Sequence, residues 1–240
     1  LASSAASDVY KRQIIYLHFT MDDNLSLSEK IKERYRSMYV GVFFKRYILG
    51  LWCVAEGLVY SMFDEEKHVT DEHMSGALEY VVSIDYGTVN PFSAGLWAFD
   101  GKYSQREAEL YYNSREVGKR VDDEAYYKML KELIGDRKVS CIIIDPSAAS
   151  FIEVIKKYGE YTVRKADNDV LDGIRVVTTM LNNGLLKIYK DCTSCINEFG
   201  LYCWDEEKNN DTVIKENDHA MDDTRYYVYT FLRRRLRWKY

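Results

Sequence analysis

Four side chains combine a usable chemistry with a suggestive spacing: Asp85, Asp145, Asp222 and His219. Asp85 ends the β-branched run of "YVVSIDYG" at a glycine turn, and Asp145 ends the apolar run of "VSCIIIDPS". Asp222 lies in "NDHAMDDTRYYVY", three residues after His219, so the two share one face of a helix. Carboxylates at strand ends on one edge of an α/β sheet face a common crevice, where such folds bind ligands. Two of them plus a third from a facing helix can chelate two divalent ions, and hard oxygen donors suit Mg2+ or Mn2+. Ions about 3.5–4 Å apart activate a water and stabilise the leaving oxygen of a phosphodiester.

Taken singly, each acid has a plainer reading: a turn residue for Asp85, a strand exit before Pro146 for Asp145, a solvated helix face for Asp222. Together they are harder to dismiss. Asp145 follows four consecutive apolar residues, so its carboxylate is tethered at the rim of a core and needs a partner or a metal. His219 reads as a metal ligand, a proton carrier or a capping residue. Asp223 points about 100° away from Asp222 around a helix, so the spacing from His219 selects Asp222 for the site. Asp218 reads as the helix cap.

These residues need elements to hold them. "DDEAYYKMLKELIG" is an amphipathic helix closed by Gly135, and Asp100-Gly101 marks a hairpin between two strands. The run before Asp145 has the look of a central strand in a covered sheet. From Tyr80 onward the order reads β-β-β-α-β-α-β-α-β-α, a mixed α/β sheet flanked by helices. Before it, "IIYLHFTMDDN" reads as a strand leaving into an acidic loop, and "SLSEKIKERYRSM" as a capped helix. Residues 1–13 show no periodicity and are expected to be disordered or artefactual.

The chain has 240 residues, 47% hydrophobic, with two prolines and a net charge of −5, enough for a sizeable core. The charge argues against indiscriminate nucleic-acid binding but allows a local basic stripe. Five cysteines and no secretory segment fit a reducing, cytoplasmic setting. The lone pair Cys192 and Cys195 lacks the second pair that a zinc ribbon needs, so packing is its expected role. No stretch is long and apolar enough to span a bilayer comfortably. Arg233, Arg234 and Arg235 open a basic terminus that could track phosphates, with Trp238 and Tyr240 stacking on frayed bases; alternatively it is the exposed face of a terminal helix. Lys165 in "RKADN" is placed for DNA contact if its loop flanks the cleft, and is otherwise a solvated lysine.

"SIDYGTVNPFSAGLW", "IIIDPSAASFIEVIKK", "KADNDVLDGIRVVTTMLNNGLLKI" and "NDHAMDDTRYYVY", in this order, resemble the nuclease domain of the phage terminase large subunit, PBSX-like family. "HFTMDDNLSLSEKIKERYRSMYVGVFFKRYILGLWCVAEGLVYSMFD" resembles the end of that family's ATPase domain and the connector. The resemblance implies an ATPase remnant and connector over 14–64, a linker over 65–79 and an RNase H-like nuclease domain over 80–240. It implies an endonuclease that cuts concatemeric double-stranded viral DNA during packaging, with two Mg2+ or Mn2+ ions, in the host cytoplasm. Asp85, Asp145 and Asp222 take the places of its metal ligands and His219 that of the accompanying histidine. The portal protein and the small terminase subunit are the implied protein partners, and no membrane is involved. Two departures stand out. Leu25 replaces an expected proline, and Asp223 an expected small residue. No G-x-x-x-x-G-K motif followed by Ser or Thr is present, so no ATPase activity is expected of this piece. Two other functions compete: a non-catalytic docking and DNA-holding module of the packaging motor, and a resolvase-type RNase H-like nuclease.

Overall fold

The computed structural model describes residues 17–39, 41–51, 55–208 and 211–235. Residues 1–13, and Trp238 and Tyr240, lie outside them. Helices α1 (Glu29–Met38) and α2 (Gly41–Tyr47) come first, then α3 (Glu65–His68) and strand β1 (Val69–Thr70). Strands β2 (Glu79–Asp85), β3 (Phe92–Phe99) and β4 (Ser104–Tyr112) follow, then α4 (Ser114–Val117) and α5 (Asp123–Ile134). The alternating part comprises β5 (Val139–Ile144), α6 (Ala149–Tyr158), β6 (Val163–Lys165), α7 (Val170–Asn182), β7 (Leu186–Tyr189) and α8 (Thr193–Phe199). Helix α9 (His219–Tyr227) runs into a π-helical turn, Val228–Leu232, and a last turn α10 (Arg233–Arg235).

The seven strands form one sheet in the order β1-β7-β4-β3-β2-β5-β6. Strands β4, β3 and β2 are antiparallel neighbours, and β5 and β6 continue the sheet in parallel. Those five are the RNase H-like core expected from the sequence, and the mixed sheet flanked by helices is observed. The outer strands are only two and three residues long.

Both faces are covered, which is why the strands read as apolar runs. Val82, Ile84, Ile142 and Ile144 pack with Tyr126, Leu130, Phe151 and Ile155 of α5 and α6. Val81, Trp97 and Ile143 point the other way, against Ile174, Val177, Phe199, Tyr226 and Phe231. The alternation follows from the two-residue period of a strand. One irregularity has consequences. Leu96 faces Ala108 but Trp97 faces Arg106, so Glu107 is an extra residue in β4. A bulge re-aims the side chains beyond it. Ala108 packs on the α5–α6 face, whereas Arg106 enters the opposite face toward α9.

Two expectations for the leading segment are corrected. Residues 17–20 carry no strand; Thr20 instead caps a 3-10 turn, Met21–Asp23, accepting from the Asp22 N–H while Asp23 accepts from the Thr20 backbone. The stretch expected as a linker, 65–79, is knit into the sheet. Val69 and Thr70 pair with Ile188 and Tyr189, and His68 Nε2 sits 3.1 Å from the Leu181 carbonyl. Tyr60 packs against Phe199 and Tyr202, and the Val59 N–H bonds the Tyr202 carbonyl at 2.9 Å.

Candidate active site

Parallel pairing of β2 with β5 matches Ile84 to Ile144, so Asp85 and Asp145 emerge side by side from one sheet edge. Helix α9 packs across β2, β3 and β5 and brings His219 and Asp222 to the same edge. His219 Nδ1 lies 2.9 Å from Asp85 Oδ2. Beyond Asp85 the chain turns tightly. A Cβ on Gly87 would stand 2.3 Å from the Asn90 and Pro91 carbonyl oxygens, so only glycine fits this turn. The turn and the start of α9 enclose an open cleft of about 350 Å³, bordered by Asp85, Lys215, Asp218, His219 and Asp222.

Each acid is held differently. Asp145 Oδ1 accepts the Ser147 N–H at 2.6 Å, and Tyr226 donates its hydroxyl to Oδ2 at 3.0 Å. Burial raises the Asp145 pKa, but hydrogen bonds from Ser147, Tyr226 and Asn168 outweigh it and the carboxyl ends below its ordinary value. Asp85 has fewer donors. Burial pushes it up to about 6, helped by the neighbouring charges of Asp222 and Asp223 and opposed by His219. Burial works against a charged His219, yet the bond to Asp85 and the charges of Asp85, Asp218 and Glu198 raise its pKa overall.

Asp222 receives two cations. Arg225 Nη2 donates to Oδ1 at 2.9 Å and Lys215 Nζ to Oδ2 at 3.3 Å. The Arg225 side chain lies on Gly173, where a Cβ would come within 2.5 Å of its Cγ. The helix start is capped from outside. Asp218 occupies the cap position without a side-chain cap bond, contrary to expectation. Instead Glu198 Oε2 accepts the N–H groups of Ala220 at 2.6 Å and Met221 at 3.2 Å, while Tyr111 donates to Oε1 at 2.7 Å.

Asp223, one residue on, points into the core as the 100° helical step requires. It is fully buried, as is its partner Arg106, whose Nη2 donates to Oδ2 at 3.0 Å and whose Nη1 donates to Oδ1. Ser83 donates to Asp223 at 3.1 Å, Ser93 donates as well, and Trp97 Nε1 holds the Ser83 hydroxyl at 2.8 Å. Gly95 makes room, because a Cβ there would sit 2.3 Å from Arg106 Nη1.

The residues expected to contact DNA are spread out. Lys165 ends β6 and pairs with Ile144, next to Asp145, at the same sheet edge. The arginines are not in the cleft. Arg233 is bound to Asp167 at 2.8 Å, and Arg235 to Glu79 at 2.5 Å, at the end of β2 opposite Asp85; Arg234 is exposed. Cys192 and Cys195 are buried free thiols raised in pKa by burial, consistent with packing.

The donor set suits a hard divalent ion: three carboxylates, one of which, Asp85, is raised in pKa by burial and by like charge, a pressure that a cation would relieve. Among the described residues, however, no three His, Cys, Asp or Glu side chains are gathered closely enough to hold one ion. Tyr226 and Ser147 tie up Asp145, and Arg225 and Lys215 tie up Asp222. The four expected residues are therefore brought to one edge but not onto one point. Tyr226, Arg225, Lys215 and Glu198 went unforeseen. Two of them left a readable trace: Arg225 and Tyr226 follow Asp222 by three and four residues, the spacings that share a helical face.

The model of the family described as Terminase RNaseH-like domain matches residues 82–230. The large terminase subunit of Escherichia phage T5 is 24% identical over an alignment of 233 positions that covers 91% of this chain and 52% of that protein. A large terminase from a thermophilic bacteriophage, solved in complex with ADP, superposes with a TM-score of 0.85 at 45% identity, over 90% of this chain and 55% of that one. The chain thus spans about half the length of these two relatives. The large terminase nuclease of the thermophilic phage G20c, solved with bound magnesium, shares the fold, with a TM-score of 0.54 at 13% identity over 73% of this chain and 97% of that one.

Proposed function

Because the chain belongs to the terminase RNaseH-like domain family, we propose that it is the nuclease part of a DNA-packaging terminase, a divalent-metal-dependent endonuclease that cuts concatemeric double-stranded viral DNA in the host cytoplasm. The observation that carries this reading is the convergence of Asp85, Asp145, Asp222 and His219 on one sheet edge beside an open cleft. The magnesium bound to the G20c nuclease and the oxygen-rich donor set both support Mg2+ or Mn2+. Asp85, Asp145 and Asp222 would hold the metal; two ions, when bound, supply an activated water and charge for the leaving oxygen.

The chain's own residues prepare this chemistry. His219 fixes the rotamer of Asp85 through Nδ1 and is placed to carry a proton at the mouth of the cleft. Tyr226 and the Ser147 N–H aim Asp145, and Arg225, seated on Gly173, aims Asp222. Glu198 fixes the first turn of α9 and thereby the positions of His219 and Asp222. Lys165, next to the edge, would meet the DNA backbone. The portal protein and the small terminase subunit are proposed partners of the larger assembly. No described helix is long and apolar enough to cross a membrane.

The test is plasmid nicking with Mn2+, Mg2+ or EDTA, using this chain and its Asp145→Ala variant. Metal-dependent cutting by the parent, reduced at least a hundredfold in the variant, is expected. A folded parent that cuts equally well in EDTA overturns the metal-dependent reading, and one that cuts with neither metal overturns the nuclease reading and leaves a docking module.

A further inference from the structure

A cleft that accepts DNA must tolerate a polyanion against its own carboxylates. Of the described side chains that border this one, Lys215 is the single lysine or arginine. Its Nζ lies 3.2 Å from Asp218 Oδ2 and 3.3 Å from Asp222 Oδ2. Its backbone is anchored: Val213 bridges to Trp204, and the Ile214 N–H bonds the Cys203 carbonyl at 3.0 Å. Asn217, at φ 52°, then takes the left-handed turn that leads into the start of α9. A left-handed residue other than glycine marks a turn that the surroundings enforce.

The two cations on Asp222 contrast sharply. Arg225 has 2% of its side chain exposed and is locked against Gly173. Lys215 has 60% exposed, and both of its contacts exceed the roughly 2.7–2.9 Å of a strong charge-assisted hydrogen bond. Exposed pairs of this kind are weak and easily exchanged.

We propose that Lys215 binds a backbone phosphate of the DNA, and that the contact with Asp218 and Asp222 is where its ammonium rests until DNA arrives. This assignment rests on the nuclease reading above. Lys215 is thus the exchangeable cation of the cleft and Arg225 the permanent one. The Lys215 ammonium would give up its contact with Asp222 to a divalent cation held there and turn toward the substrate.

The test compares the parent with Lys215→Met and Lys215→Arg, whose exposed position leaves folding intact. Binding to a short labelled duplex is measured over a salt series, with Ca2+ in place of Mn2+ to suppress cutting. Loss of one phosphate contact lowers the slope of log K against log salt by about 0.9 in Lys215→Met, while Lys215→Arg keeps the parent slope. Calorimetric titration of the DNA-free protein with Mn2+ should show Lys215→Met binding about threefold more tightly, because no ammonium competes. An unchanged salt slope in Lys215→Met, or Mn2+ affinity no higher than the parent's, overturns the assignment alone if the parent binds Mn2+ and nicks plasmid. A parent that neither takes up Mn2+ nor nicks overturns the nuclease reading and this assignment together.

Discussion

Removing one partner of the Arg106–Asp223 pair should be the most damaging single change near the candidate site. Both residues are fully buried, so neither charge can turn to water when its partner goes. Asp223→Ala leaves Arg106 with only the Thr224 hydroxyl at 3.5 Å and Glu109 at 3.7 Å. Arg106→Met leaves Asp223 with the Ser83 and Ser93 hydroxyls. Breaking a buried pair in this way costs about 3–5 kcal/mol. For a chain of this size that lowers Tm by about 8–16 °C, taking about 2–4 °C per kcal/mol at a loss near 4 kcal/mol. The double variant Arg106→Met with Asp223→Ala removes both charges and should be less destabilised than the sum of the two, by about 2 kcal/mol or more. Urea unfolding followed by tryptophan fluorescence measures all four corners of the cycle. Single variants within about 1 kcal/mol of the parent, or a strictly additive double, would refute the reasoning, since either result means that water or another ion already compensates the buried charges.

Two further outcomes are expected. Gly173→Ala places a Cβ 2.5 Å from Arg225 Cγ, and the displaced guanidinium should loosen Asp222 and cost about 1–3 kcal/mol, read as a lowered urea midpoint. Burial raises Glu198 to about 7 against the pull of Tyr111 and the α9 N–H groups, from an ordinary value of 4.5. Between those values the folded state holds a proton that the unfolded state has released, so stability falls as pH rises through that window, by at most about 1.4 kcal/mol per pH unit. Glu198→Gln should flatten that slope in unfolding midpoints taken across it, and an unchanged slope would assign it to another group.

What could be read from the sequence was local. The apolar run before Asp145, the Asp100-Gly101 hairpin and the period of α5 each lie within a short window, and each is observed where expected. Asp85 and Asp145 could be placed on one edge because strand ends in such sheets share one. What could not be read was pairing across distance. Arg106 and Asp223 stand 117 residues apart, and they meet only because the bulge at Glu107 turns Arg106 to the other face. Ser104 to Glu107 are all polar and all buried, so this part of β4 has no apolar alternation in which the shift could be seen. Helix α9 misled in a different way. Eight of its nine residues are buried although three of them are charged, because the charges are satisfied by Arg106 from the sheet, by Lys215 and by each other. Asp218 looked like the cap because its type and position are right, yet Glu198, from another helix, reaches the free N–H groups first. Strand β1, at two residues, is too short to carry any periodic signal.

The order of the strands also bears on how the molecules behave toward one another. The four long strands, β2 to β5, all lie inside the sheet with a partner on each side. The margins fall to the two shortest, Val69–Thr70 and Val163–Lys165, the latter ending in a lysine. Long, flat, unpaired edges are what allow one polypeptide to template another, and brevity and lysine are common protections against it. Within the sheet, resistance to fibrillar growth therefore resides at its margins and not in its core. Lengthening β6 with β-branched residues in place of Lys165, with Asp85, Asp145 and Asp222 untouched, is the kind of change that would make copies of this chain adhere edge to edge.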